Sequence, residues 1–338
     1  MLVPVVDSNQ KPLMPTTSSR ARRWIRDRKA TPFWKHGVFC VRLNVEPSAR
    51  NVQTIAVGID TGSKKEGFTV KSASHTYLNL NVDAVTWVKD AIATRRMMRR
   101  NRRYRKTPYR VCRSNRNRNK VFIPPSTKAR WQWKLRLCNW LAKMYPIEVF
   151  VIEDIKAITK KGKGRWNRSF SPLECGKTWF YTELSKLGKL ETKQGYETKA
   201  LRDIHGLRKT KQKLASVFEA HCVDSWVLAN WYVGGHEKPD NTSLLCVTPL
   251  RFIRRQLHYI HPKSGRIRQR FGGTRSLGFK KGSLVKHPKY GVAYVGGYQG
   301  KQITLCKLSN GNRISRRVKP NECKFLSYNS QRQVYEAA

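Results

Sequence analysis

The sequence predicts an α/β fold: a mixed sheet split by insertions, with a small N-terminal unit, a long arginine-rich helix within it and a small antiparallel β-barrel after it. Three observations predict this. Apolar runs of strand character at 52–82 and 147–155 alternate with segments of helical period at 84–107, 128–145 and 212–231. Turn residues break residues 1–50 into short pieces. From 278 to 328, short strands alternate with glycine and asparagine turns, the pattern of a small barrel.

Within 1–50, LVPVVD reads as a strand, SNQK as a turn and PLMP as an extended segment. Thr16, Thr17 or Ser18 supplies a hydroxyl to cap the basic helix SRARRWIRDRKA, and GVFCVRLNV alternates like a strand. VQTIAVGID, GFTVKSA and HTYLNLNV are three successive strands, and the turn TGSKKEG makes the first two an antiparallel pair. The helix over 84–107 stops before Pro108. In 128–145, Trp133, Leu137, Trp140 and Leu141 share a helical face and predict a core contact. IEVFVIEDI is a strand ending in Glu153 and Asp154. Residues 159–212, polar and spotted with glycine, predict loops and short helices; 212–231 predict a helix and 235–275 a connection.

With 69 Lys+Arg against 21 Asp+Glu over 338 residues, the net charge is +48. Such a charge repels itself and calls for a polyanion, of which nucleic acid is the first choice. Basic membrane binders confine their charge to one helix or tail, whereas here Lys and Arg are spread along the chain as far as Arg332. No apolar stretch approaches the roughly 18 residues that span a bilayer, and the run in MLVPVVD is too short for a signal peptide. Hydrophobic residues at 39% and aromatics at 10% mark a folded chain, with length for two or three domains. The eight cysteines, Cys40, Cys112, Cys138, Cys175, Cys222, Cys246, Cys306 and Cys323, are too scattered for a zinc site or a compact disulfide framework. They predict reduced thiols in a cytoplasmic protein.

The densest charge lies at 95–120, where 13 of 26 residues are basic, 11 of them Arg, and none is acidic. A solvated surface helix mixes signs; a block of one sign marks an interaction segment, and Arg makes bidentate phosphate contacts. Arg95, Arg96, Arg99, Arg100, Arg102, Arg103, Arg105, Arg110 and Arg113 are the candidate nucleic-acid contacts.

Against this background three acids stand out: Asp60 ends the first core strand, Glu153 ends a later one, and Asp224 sits on the late helix one turn after His221. Singly they have plainer explanations. Asp60 before Thr61-Gly62 reads as a turn former, Glu153 as the partner of an arginine, and His221 as a packed histidine. Together they read as acids converging from separate core elements, where divalent cations relieve their repulsion and oxygen donors favour Mg²⁺ or Mn²⁺. Two such ions promote phosphodiester hydrolysis, with His221 as a ligand or general base.

GIDTGSKKEGF, VFVIEDI and HCVDSW resemble, in chain order, the three motifs of the RuvC branch of the RNase H fold. The basic helix between the first two is similar to the arginine-rich bridge helix of Cas9-type nucleases. KPLMP followed by an Arg-rich helix resembles the start of the IscB-like family, transposon-encoded RNA-guided nucleases. These motifs span most of the chain to about residue 235. One departure selects a branch. Relatives carry an HNH nuclease between the second and third motifs, but here the 57 residues at 155–211 hold one histidine, His205, and no paired cysteines. The resemblance is therefore to IsrB, the branch without HNH.

That resemblance implies an RNase H-like (RuvC) sheet and a definite division of the chain: a PLMP domain at 1–50; RuvC parts at 51–83, 121–158 and 212–245; the bridge helix at 84–120; a linker in place of HNH at 159–211; and a target-adjacent-motif-interacting barrel at 246–338. It implies Asp60, Glu153, His221 and Asp224 as catalytic metal ligands for two Mg²⁺ ions, with Mn²⁺ as a substitute. The implied partners are an omega guide RNA and double-stranded target DNA, bound by a monomeric protein that nicks the displaced strand. Arg313, Arg316 and Arg317 are candidates for reading the target-adjacent motif, although solvated strand charge is the plainer explanation of any one of them. Two competing readings are an RNA-independent junction resolvase or transposase, and a non-catalytic RNA- or DNA-binding protein.

Overall fold

The computed structural model describes residues 2–50, 52–104, 123–154, 174–251, 266 and 275–336. In the N-terminal unit, β1 (Val3–Val6), β2 (Pro12–Thr16), α1 (Ser18–Arg26), β3 (Ala30–Lys35) and β4 (Val38–Leu43) form a sheet of order β2-β1-β4-β3 with one helix. Of the three hydroxyls expected to cap α1, that of Thr17 accepts from the Arg20 amide. Strand β3, unforeseen in the sequence, pairs with β4 through His36 and Gly37, both at positive φ as a two-residue hairpin requires.

The central sheet is built from β5 (Ile55–Asp60), β6 (Lys65–Lys71), β7 (Thr76–Asp83), β8 (Ile147–Asp154) and β9 (Lys189–Gln194). Their order is β7-β6-β5-β8-β9, or 3-2-1-4-5, with only the second strand antiparallel. This is the RNase H-like topology that the resemblance implies. Beyond β7 the sheet continues into β10 (Leu244–Pro249) and β18 (Gln331–Glu336), giving seven strands.

Helices cover both faces. Ile55, Val57, Ile59, Phe68, Val70, Phe150 and Ile152 point to one face and pack on α3 (Pro125–Ala142), whose Trp133, Leu137, Trp140 and Leu141 are all buried as expected. Each such side chain contributes roughly 1.5–3 kcal/mol by leaving water. α4 (Lys177–Leu184) joins this layer through Phe180 and Leu184. The opposite face carries α6 (Phe218–Val233), which is buried from Ala220 to Asn230 and therefore apolar almost all round. α5 (Gly195–Ile204) packs outside α6, its Leu201 against the cluster of Phe218, Val223 and Trp226.

Four expectations change. The helix foreseen over 212–231 begins only at Phe218, and residues before it form turns across the strand ends. The described part of the linker at 159–211 supplies β9 and two helices to the central fold. The connection at 235–275 includes β10. The C-terminal unit narrows correspondingly: β10 and β18 belong to the central sheet, leaving a five-stranded antiparallel sheet of β13 (Ser283–His287), β14 (Gly291–Gln299), β15 (Gln302–Cys306), β16 (Arg313–Val318) and β17 (Lys324–Tyr328). Its order is β16-β15-β14-β13-β17, and among the described residues no pairing closes β16 onto β17, so it is an open sheet around Val285, Val295, Ile303 and Leu305 and not a hydrogen-bonded barrel. The short hairpin of β11 (Arg275–Ser276) and β12 (Phe279–Lys280) precedes it.

Within the stretch 84–120 the structure has one described helix, α2 (Val88–Tyr104). None of its described side chains is buried, and Arg95, Arg96, Arg99 and Arg100 are exposed. Val88, at its start, packs against the central core and anchors that end of the helix. Arg102 and Arg103 also lie on α2, whereas Arg105, Arg110 and Arg113 lie outside the described residues.

Candidate metal centre

Strand register brings the first two acids together. β5 and β8 are parallel, and the pair Ile59–Ile152 places Asp60 and Glu153 side by side at the carboxyl ends of adjacent strands. Strand alternation then aims them at the same face as Ala56, Gly58, Val149 and Val151, the face that α6 covers. Asp154, one residue on, points to the other face, where it binds Lys177 at 2.9 Å and the Tyr181 hydroxyl at 3.0 Å.

Two glycines let α6 come close enough to add the third acid. A Cβ on Gly58 would lie 1.8 Å from the Ser225 carbonyl oxygen, and one on Gly67 would lie 2.3 Å from that of His221. Bare backbone at both positions seats α6 directly on β5 and β6. Gly58→Val is therefore expected to destabilise the protein by at least about 1–3 kcal/mol, the scale of an overpacked core. Urea unfolding measures it, and a loss below 0.5 kcal/mol would show that α6 does not rest on this glycine.

The outcome is a compact carboxylate cluster: one oxygen each from Asp60, Glu153 and Asp224 lie within 4.8 Å of one another. Asp60 and Asp224 are buried, and Glu153 is half-buried. Burial, then the Asp60 charge and the shared Asp60 hydrogen bond, push Glu153 up to about 8. Burial also acts to raise Asp60, but the His221 hydrogen bond and the Lys209 charge outweigh it and hold Asp60 below the usual carboxylate range. The donors that the three acids offer are all carboxylate oxygens. Such a set fits a hard divalent cation.

His221 lies beside the acids. Its Nδ1 lies 2.7 Å from Asp60 Oδ2 and its Nε2 lies 2.9 Å from the Lys213 carbonyl. Both nitrogens are engaged, so the ring steadies Asp60. Burial opposes charge on this imidazole, yet the Asp60 hydrogen bond and carboxylate raise its pKa overall.

Two site residues were not anticipated. Lys209 contacts Asp224 Oδ2 and lies 3.7 Å from Asp60 Oδ2, while Arg202 contacts Asp224 Oδ1. In the sequence they sit in the polar stretch before α6 with nothing to separate them from its other cations.

Of the other predicted residues that are described, Arg95, Arg96, Arg99 and Arg100 are exposed on α2, and Arg313, Arg316 and Arg317 are exposed on β16, an edge of the C-terminal sheet. Among the described residues no helix is long and apolar enough to cross a membrane.

Residues 3–166 match the model of a family described as RRXRR protein. That string stands in the chain as Arg99, Arg100, Asn101, Arg102 and Arg103, on α2. No curated protein matches the sequence. Among solved structures, T. thermophilus RuvC in complex with a Holliday junction substrate aligns with a TM-score of 0.29 and 12% identity, over 54% of this chain and 98% of that one. Cas12f in a CRISPR ternary complex, solved by cryo-EM, aligns with a TM-score of 0.31 and 11% identity, over 66% of this chain and half of that one.

Proposed function

We propose that the chain is an RNA-guided DNA endonuclease of the IsrB type, which holds an omega RNA, lets its guide pair with one strand of the target, and nicks the displaced strand. The observation that carries the reading is the convergence of Asp60, Glu153 and Asp224 to within 4.8 Å on a 3-2-1-4-5 sheet in a chain of net charge +48. In a chain with 21 acids against 69 bases, three acids from separate elements meeting at one place, Asp60 and Asp224 of them buried, support a site where cations sit.

Asp60, Glu153 and Asp224 would hold Mg²⁺ or Mn²⁺. When bound, the ions supply Lewis-acid activation of water and neutralise charge on the scissile phosphate. The chain's own part is positional. His221 holds Asp60 in one orientation, α6 sets Asp224 against the strand ends through Gly58 and Gly67, and β8 places Glu153 beside Asp60 as the third carboxylate. The basic α2 grips the RNA or the guide–target duplex by its backbone, while sequence is read by base pairing. Among the described residues there is one such cluster, and in this reading it cuts one strand. The C-terminal sheet reads the target-adjacent motif, with Arg313, Arg316 and Arg317 as its contact candidates.

A discrete RNA is expected to co-purify with the protein, and sequencing that RNA tests the reading; a protein that cuts branched DNA with all RNA removed is a resolvase instead. The α2 arginines give a quantitative check. Replacing Arg95, Arg96, Arg99 and Arg100 by alanine should lower the slope of log affinity for RNA against log salt by about 3, at roughly 0.7–0.9 per phosphate contact. An unchanged slope would place the RNA elsewhere.

A further inference from the structure

The acidic cluster already contains a cation of its own. Lys209 Nζ contacts Asp224 Oδ2 and lies 3.7 Å from Asp60 Oδ2, so one ammonium spans two of the three acids. We propose that Lys209 is the resident counter-ion of the cluster, occupying the space between Asp60 and Asp224, and that it must withdraw before a divalent ion is held there.

The two cations of the site are mounted differently. Arg202 belongs to α5 and holds the other oxygen of Asp224 from a regular helix. α5 then ends in a Schellman turn: the Gly206 amide donates to Asp203, the Leu207 amide donates to Arg202, and Gly206 stands at φ 62°. Lys209 follows in the irregular segment that runs to the start of α6 at Phe218. Its side chain is 27% exposed, so solvent lies on one side and carboxylates on the other. A lysine carries a compact charge on a flexible stem. Rotation of that stem opens the oxygens without disturbing Asp60, which His221 still holds. The metal-free site is thereby neutralised, and loading becomes an exchange of one cation for another.

This inference rests on the reading that the cluster binds metal, and the test separates the two. Mn²⁺ binding to the RNA-stripped full chain is followed by electron paramagnetic resonance, with Asp60→Ala as the blank. If the open state is a minor one of 0.1–10%, apparent affinity is reduced by that fraction. Lys209→Met should then bind Mn²⁺ about tenfold or more tightly than wild type. Arg208→Ala, which removes an exposed neighbouring charge, should stay within about twofold. In the unsubstituted protein, acylation of Lys209 by an amine-directed reagent, read by mass spectrometry, should speed up severalfold when Mg²⁺ is added. This second measurement decides the matter if Lys209→Met does not fold. Equal affinity in Lys209→Met and wild type, or an effect no larger than that of Arg208→Ala, overturns the proposal while leaving the metal site standing. If neither wild type nor Lys209→Met binds more Mn²⁺ than Asp60→Ala, both readings fall.

Discussion

Asp60→Ala protein is expected to retain its RNA and to leave guided target DNA uncut. The loss should be at least about 10²–10³-fold, the scale of removing a single preorganised electrostatic group from a reaction centre. Asp60 is the hub of the cluster: it shares a hydrogen bond with Glu153, accepts from His221 and lies within 4 Å of Lys209. Removing it also lifts the charge that helps push Glu153 up to about 8, so the Glu153 pKa should fall in the variant. Asp60→Asn keeps the shape and tests charge alone, and it too should be inactive. RNA retention should be unaffected because the residues proposed to hold the RNA, the α2 arginines, are not among the acids of the cluster. Cleavage within tenfold of wild type in either variant would remove Asp60 from the chemistry.

The second large effect concerns the other side of the same sheet. Glu66 on β6 and Lys134 on α3 form a hydrogen-bonded ion pair at 2.6 Å, both side chains wholly buried. The ammonium also lies 4.6 Å from the centre of the Trp131 ring. Burial raises the Glu66 pKa, and Lys134 opposes it. Lys134→Ala should destabilise the protein by about 3–5 kcal/mol, because it strands a carboxylate in the core and opens a cavity. The double variant Glu66→Gln with Lys134→Met removes both charges at similar volume and should recover most of that loss. Denaturant unfolding of the two variants decides it. A loss under 1 kcal/mol for Lys134→Ala would mean that water reaches the pair.

What was legible in the sequence follows how local its cause is. β5, β6, β7 and β8 announce themselves because both faces are covered, leaving runs such as IAVGID and EVFVIE. Asp60 and Glu153 were visible for the same reason, as acids at the ends of apolar strands. β9, KLETKQ, was not: it is an edge strand with no buried residue, and only its pairing with β8 defines it. β10 and β18 pair across some 80 positions, and QRQVYE carries no strand signal of its own. The Lys134–Glu66 pair and the approach of Lys209 and Arg202 to Asp224 are long-range juxtapositions of the same kind. In a chain with 69 basic residues, no local feature marks which lysine will face an acid.

The central claim is that this acidic cluster makes a guided, single-strand cut. Strand-resolved cleavage of a supercoiled target, with the co-purified RNA and Mg²⁺ and each strand labelled separately, tests it most directly. The account predicts a nicked circle with the break confined to the strand not paired with the guide, dependent on RNA, on the divalent ion and on Asp60. A linear product, a cut in the guide-paired strand, or cleavage that persists without RNA would contradict it.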